Sequence, residues 1–138
     1  MQSRPTYEDS FPKKKRILVV DDEPAVTRII VRFLEHAGTY EVIAINDATK
    51  AVQAARVFLP DLVVLDIVMA NLDGGEVLAE LRADKKLSDI QAIFLTGLVS
   101  KAEIGREGSD ISGHPVIPKP VVAHVLRAAV AKQLGIQE

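Results

Sequence analysis

Five polar residues lie at the ends of short apolar segments in this sequence. They are two adjacent acids, a third acid, a threonine and a lysine: Asp21, Asp22, Asp66, Thr96 and Lys119. Carboxylates that are brought together repel one another and need a cation at neutral pH. Because no His or Cys accompanies them, this oxygen-only set favours a hard ion, and Mg²⁺ is the natural candidate.

A threonine and a lysine contribute little to a metal site, but they suit the oxygens of a phosphoryl group. An aspartate carboxylate can attack phosphorus and form an acyl phosphate, while a metal ion shields the charge that builds up. Taken singly, each residue has an ordinary explanation, such as a helix-terminal charge, a cap or a solvent-exposed lysine. Together, at four strand ends, they predict a metal-assisted phosphoryl acceptor centred on Asp66.

The segments that position these residues alternate between strand and helix. Continuous β-branched runs at 17–20 and 62–65 predict strands that are buried on both faces. Apolar residues at three- and four-residue steps predict helices with one apolar face. Further strands are expected at 40–45, 90–95 and 116–117, and helices at 24–37, 48–58, 77–81, about 100–108 and 122–134.

This alternation predicts an α/β fold, with a single doubly wound, five-stranded parallel sheet covered by helices on both faces. Pro115 and Pro118 flank the fifth strand, and prolines lack the N–H that a central strand needs, so this strand is expected at an edge. The pattern is consistent with the flavodoxin-like order 2-1-3-4-5. In such sheets ligands bind beyond the carboxyl ends of the strands, where the five polar residues lie.

Length and composition limit the other classes of function. The 138 residues fit one domain, and we predict a flexible N-terminal tail at 1–14 and the domain at 15–136. A net charge of −2 gives no reason to expect a nucleic-acid or membrane partner, and the absence of Cys excludes disulfides and thiolate chemistry. The polar N-terminus is no signal peptide, so we expect a cytoplasmic protein.

Four short motifs occur in a fixed order along the chain. They are Val-Val-Asp-Asp-Glu at 19–23, Leu-Asp-Ile-Val-Met at 65–69 followed by Asp73-Gly74, Leu-Thr-Gly at 95–97, and Lys-Pro at 119–120. In order and spacing they resemble the receiver domain of two-component response regulators, including the chemotaxis regulators. The resemblance extends over about 17–134.

The resemblance implies a role for each acidic residue. Asp66 would take a phosphoryl group from a phosphohistidine on a histidine kinase or a histidine phosphotransfer protein. Asp22 would bind Mg²⁺ directly and Asp21 mainly through water. Asp66 itself and the backbone carbonyl of Val68 would complete the protein ligands.

The resemblance also assigns Thr96 and Lys119 to the phosphoryl oxygens and predicts a cis peptide bond between Lys119 and Pro120. Two positions differ from most relatives. Ala70 stands where proline is usual, and Val116 stands where an aromatic residue usually moves with the threonine. The site is therefore expected to be intact, while the means by which its state is transmitted is expected to differ.

The implied function is a phosphorylation-driven switch of protein–protein contacts in a two-component pathway or phosphorelay. We expect no turnover enzyme, no output domain within these residues, an unknown downstream protein, and either a monomer or a phosphorylation-dependent homodimer. A haloacid-dehalogenase-type phosphatase would need a second Asp at Val68, and a flavin-binding protein would need a phosphate-binding loop after the first strand. A degenerate, binding-only receiver is disfavoured because all five site residues are present.

The apolar residues Val68 and Leu98 lie two positions after Asp66 and Thr96. Polar side chains at these positions in relatives can orient a water molecule, which apolar side chains cannot do. We therefore predict that the acyl phosphate hydrolyses slowly.

Overall fold

The computed structural model describes residues 14–36, 38–70, 72–97, 110–111 and 113–136. Strands and helices alternate along most of the chain. The elements are β1 (Lys15–Val20), α1 (Pro24–Glu35), β2 (Tyr40–Ile45), α2 (Ala51–Phe58), β3 (Leu62–Asp66), α3 (Gly74–Ala83), β4 (Gln91–Thr96), β5 (Asp110–Ile111), β6 (His114–Pro118) and α4 (Ala123–Leu134). Short 3-10 turns precede α2 at Ala48–Lys50 and follow α3 at Lys85–Leu87.

Five parallel strands form the body of the sheet in the order β2-β1-β3-β4-β6. This confirms the predicted α/β class and the order 2-1-3-4-5, with β6 as the fifth predicted strand. β1 lies in the middle, because Ile17 pairs with Val42 of β2 on one side and with Leu62 of β3 on the other. The strand order reverses between β1 and β3, and a ligand site is therefore expected beyond their carboxyl ends.

A sixth strand extends the sheet beyond the predicted edge. β5 pairs antiparallel with β6, with Asp110 opposite Pro115 and Ile111 opposite His114. Gly113 precedes β6 with φ of +82°, a conformation that favours glycine. The sequence did not predict β5, since two residues are too few to show a period. Most of the predicted tail at 1–14 and the predicted helix at about 100–108 lie outside the described residues and stay predictions.

The apolar side chains of the sheet point alternately to two separate core layers. Leu18 and Val20 pack with residues of α2 and α3, whereas Ile17 and Val19 pack with residues of α1 and α4. Both faces of the central strands are thus covered, which explains why their sequences are continuously apolar rather than alternating. Among the described residues, no helix has the length and apolarity required to cross a lipid bilayer.

Two of the helices begin immediately beside the predicted site. Pro24 occupies the first turn of α1, where its missing N–H costs nothing, and the three acids at 21–23 precede it. Asp73 caps α3, since its Oδ1 accepts a hydrogen bond from the Glu76 N–H at 2.8 Å. Both loops that carry acidic residues are therefore anchored by a helix start.

Candidate functional site

The strand register brings the predicted site residues together at one edge of the sheet. Asp66 pairs with Leu95, so Thr96 lies one residue beyond it on the neighbouring strand. Thr96 in turn pairs with Pro118, and Lys119 follows directly. The Lys119 N–H donates to the Thr96 carbonyl at 2.7 Å, which joins the ends of β4 and β6. The Lys119–Pro120 peptide bond is cis, as predicted.

Four carboxylates converge at this edge. Asp21, Asp22, Glu23 and Asp66 each offer an oxygen, and these oxygens all lie within 4.8 Å of one another. Asp21 and Asp66 are buried, whereas Asp22 and Glu23 are exposed. Like charges at such distances repel one another, so the arrangement favours a bound cation.

Lys119 is the cation that faces this cluster. Its Nζ donates to Glu23 Oε1 at 2.9 Å and to Asp66 Oδ2 at 3.2 Å, and it lies 2.9 Å from Asp21 Oδ2. Burial alone would lower the pKa of Lys119, but hydrogen bonding to Glu23 and the adjacent Asp21 carboxylate outweigh it, and the pKa is raised. The ammonium therefore stays charged, and among the described residues this one positive group faces four carboxyl groups.

The pKa of the Asp66 carboxyl group is raised, whereas an ordinary ion pair lowers the pKa of its carboxyl group. Burial raises its pKa above the usual aspartate value, and the negative charge of Asp21 raises it further. Hydrogen bonds from Lys119 and from the Val68 N–H act against this rise. Burial of a like-charged pair is the usual way in which a functional carboxylate is tuned.

Asp21 is the most deeply buried member of the cluster, with no exposed surface. Its Oδ1 accepts from the Glu23 N–H at 2.9 Å, and its Oδ2 forms an ion pair with Lys119 Nζ at 2.9 Å but accepts no hydrogen bond of ordinary geometry. A buried oxygen without a hydrogen bond is costly. This oxygen and the neighbouring carboxylate oxygens fit a small divalent cation such as Mg²⁺.

Asp22 connects the two acidic loops. Its Oδ2 accepts a hydrogen bond from the Ala70 N–H at 3.0 Å. A proline at this position, as in most relatives of the family that the sequence resembles, would have no N–H to donate. The departure noted at Ala70 therefore adds a contact between the loop after β1 and the loop after β3.

Three residues that support the site were not assigned to it from the sequence. Glu23 is part of the Val-Val-Asp-Asp-Glu motif but has no role predicted from the sequence, although it contacts Lys119. Gly74 lies so close to β3 that a Cβ atom would be 2.6 Å from the Asp66 carbonyl oxygen. Asn46 follows β2, and its side-chain amide donates to the Asp21 carbonyl at 2.8 Å and to Thr27 Oγ1 at 3.0 Å. Asn46 lies directly after β2, at the same edge of the sheet as the other site residues, and this position is the signal in the sequence that identifies it.

All five residues chosen from the sequence lie at the carboxyl edge of the sheet. The pairing places Asp21, Asp66, Thr96 and Lys119 at adjacent strand ends, and Asp22 joins them through the acidic cluster. Val68 is 52% exposed on the loop after β3. Leu98 lies outside the described residues.

Comparison with known proteins gives consistent matches. The family described as "Response regulator receiver domain" matches residues 17–131. "Probable transcriptional regulator ycf27" of Pyropia yezoensis is 39% identical over 135 residues, which cover 90% of this chain and 53% of that protein. "Response regulator Rre1" of Synechocystis is 33% identical over 127 residues, which cover 88% of this chain and 52% of that protein.

The fold is also shared with solved structures. The chemotaxis protein CheY4 of Vibrio cholerae superposes with a TM-score of 0.75 at 22% identity, covering 88% of this chain and 99% of that one. At this identity the likeness concerns the fold alone. The chain spans about half the length of the curated relatives it matches.

Proposed function

The chain belongs to the response regulator receiver domain family, and on this premise we propose that Asp66 accepts a phosphoryl group from a phosphohistidine of a partner protein. The partner would be a histidine kinase or a histidine phosphotransfer protein. The observation that carries the proposal is the setting of Asp66, a carboxylate that is only 4% exposed and lies among other acids, 3.2 Å from Lys119 Nζ.

In the proposed transfer, a carboxylate oxygen of Asp66 forms a bond to phosphorus while the P–N bond of the phosphohistidine breaks. The electron pair of that bond stays on the imidazole nitrogen, and the product is an aspartyl phosphate. Attack of water on the phosphorus later restores the carboxylate and releases inorganic phosphate. The protein would therefore be a switch that is itself phosphorylated and dephosphorylated, rather than an enzyme with a separate substrate.

We propose that Asp21, Asp22 and Asp66 hold the resident cation, Mg²⁺, and that the Val68 carbonyl completes the set, as the family resemblance implies. When bound, this ion supplies positive charge that shields the phosphoryl oxygens and the attacking carboxylate. Two observations support this assignment: the carboxylate oxygens converge within 4.8 Å of one another, and the buried Asp21 Oδ2 accepts no hydrogen bond of ordinary geometry.

Lys119 and Thr96 would respond to the new phosphoryl group. The Lys119 ammonium would exchange its contact with the Asp66 carboxylate for a phosphoryl oxygen, and the Thr96 hydroxyl would donate to another oxygen. Because the Lys119 N–H already donates to the Thr96 carbonyl, changes at the two strand ends are linked. The proposed output is an altered set of contacts with a downstream protein, made by a monomer or by a phosphorylation-dependent homodimer. We propose that this takes place in the cytoplasm and that the domain does not itself bind nucleic acid or a membrane.

The test is the intact mass of the protein after incubation with Mg²⁺ and acetyl phosphate. We expect one added phosphoryl group on the wild type and on an Asp89→Asn control, whose carboxylate is exposed on a turn away from the site. The Asp66→Asn variant, or removal of the metal with a chelator, should abolish the addition. Labelling that persists in Asp66→Asn, or no labelling of the wild type, would contradict the proposal.

A further inference from the structure

Glu23 differs from the other carboxylates that Lys119 contacts. Its side chain is 61% exposed, whereas those of Asp21 and Asp66 are 0% and 6% exposed. Even so, Glu23 Oε1 forms a contact with Lys119 Nζ as short as any other, at 2.9 Å. The ammonium thus directs one of its three N–H groups to an acid that is not among the proposed Mg²⁺ ligands.

This contact gives Glu23 the same partner, the Lys119 ammonium, that a phosphoryl group on Asp66 is proposed to take. Both are partners of the same ammonium, and the Glu23 carboxylate oxygen lies within 4.8 Å of the Asp66 carboxylate oxygen. An incoming phosphodonor must therefore displace Glu23 from Lys119, or approach with an additional negative charge beside it. Because Glu23 is largely exposed, it is free to move away from Lys119, but its charge remains near the acceptor.

We propose that Glu23 is a specificity-determining residue that sets the charge of the phosphodonor accepted at Asp66. It holds Lys119 in the unphosphorylated protein and disfavours dianionic donors relative to donors with a protonated nitrogen leaving group, such as phosphohistidine. The inference rests on the proposed phosphoryl acceptance at Asp66.

Two small donors separate the effect of charge from that of the chemistry at Asp66. Acetyl phosphate is a dianion at neutral pH; when Asp66 attacks its phosphorus, the P–O bond breaks and acetate leaves with the electron pair. Phosphoramidate carries a protonated nitrogen and a net single negative charge; its P–N bond breaks and ammonia leaves with the electron pair. Both reactions yield the same aspartyl phosphate, so a change in their ratio reports on donor recognition.

The experiment measures phosphorylation rates with both donors at saturating Mg²⁺ for the wild type and for Glu23→Gln, Glu23→Asp and Glu35→Gln. Glu35→Gln is the matched control, because Glu35 lies exposed at the far end of the same helix. A charge about 5 Å from the phosphoryl group changes the rate roughly twofold for each negative charge on the donor once salt screening is included. We therefore expect Glu23→Gln to accelerate phosphorylation by acetyl phosphate about fourfold and phosphorylation by phosphoramidate about twofold.

Glu23→Asp keeps the negative charge and should retain the wild-type donor ratio, which a purely structural role of Glu23 would not require. In addition, the NMR signal of the Lys119 ammonium in the unphosphorylated, metal-free protein should shift in Glu23→Gln but not in Glu35→Gln. An unchanged donor ratio in Glu23→Gln, or an unchanged ammonium signal, would overturn the inference while leaving the proposed function intact. Failure of both donors to label the wild type would instead overturn the proposed function.

Discussion

A Lys119→Met substitution keeps most of the apolar stem of this side chain and removes the ammonium that faces Asp21, Glu23 and Asp66. Removing one partner of a buried ion pair typically costs about 3–5 kcal/mol. Lys119 retains 15% side-chain exposure, and Glu23 is mostly solvated, so screening by water reduces the loss. We expect the free energy of unfolding to fall by about 2 kcal/mol near neutral pH.

This loss should depend on pH. The Asp66 pKa is already raised by burial and by Asp21, and without Lys119 the pKa of this carboxyl should rise further. A carboxyl group whose pKa is higher in the folded than in the unfolded state takes up a proton more readily when folded, so lowering the pH stabilises the fold. The pKa of Lys119 is also raised in the folded protein. The stabilisation that Lys119 gives the wild type is therefore constant at every pH well below the pKa of this lysine in the unfolded chain. The destabilisation caused by Lys119→Met should therefore shrink as the pH is lowered, which a comparison of pH 7 with pH 5 tests.

The assay is urea unfolding followed by far-ultraviolet circular dichroism at both pH values, with and without Mg²⁺. Mg²⁺ at about ten times its dissociation constant adds roughly 1.4 kcal/mol to the folded state and should offset much of the loss. Lys85→Met, a change at an exposed lysine after α3, is the control. Equal destabilisation at the two pH values, or no recovery with Mg²⁺, would refute the electrostatic account of the cluster.

Three further predictions concern the residues around the acceptor. Asp66→Asn should raise the free energy of unfolding at neutral pH, because it removes a carboxyl group whose pKa is raised in the folded protein. Thermal unfolding checks this prediction, and a lower Tm would contradict it. Gly74→Ala should destabilise the protein by about 1–3 kcal/mol and slow acetyl phosphate labelling, since its Cβ would meet the Asp66 carbonyl; wild-type values in both assays would disprove the close contact. The acyl phosphate of the double variant Val68→Asn/Leu98→Glu should have a half-life several-fold shorter than that of the wild type, measured in the purified protein. An unchanged half-life would contradict the hypothesis that apolar residues exclude the attacking water.

The central strands were predictable from the sequence because both of their faces are buried. A strand such as Leu62–Asp66 contacts helices on each side. Because every side chain before its end is therefore buried, the strand is continuously apolar until it reaches Asp66. β5 was not predictable, because it consists of two residues, and two residues show no period. The start of α1 was predictable from Pro24, whereas α3 begins at Gly74, three residues before the predicted helix at 77–81.

The site was predictable as far as the strand-end rule extends. Asp21, Asp66, Thr96 and Lys119 end adjacent strands, and a parallel sheet brings such ends together. The role of Glu23 depends instead on the conformation of a long exposed side chain, which neither spacing nor periodicity reports. The requirement for glycine at position 74 depends on how closely α3 approaches the backbone of β3, a packing distance that the sequence does not encode in any local pattern.

The most direct measurement is to locate the phosphoryl group chemically. Borohydride reduces an aspartyl phosphate to homoserine, and peptide mapping then identifies the modified residue. After treatment with Mg²⁺ and acetyl phosphate, the account predicts homoserine at position 66 and at no other acidic residue. Homoserine at Asp21 or Asp22, the longer alcohol 5-hydroxynorvaline at Glu23, or the absence of homoserine from a protein that has gained a phosphoryl group would contradict the assignment of Asp66 as the acceptor.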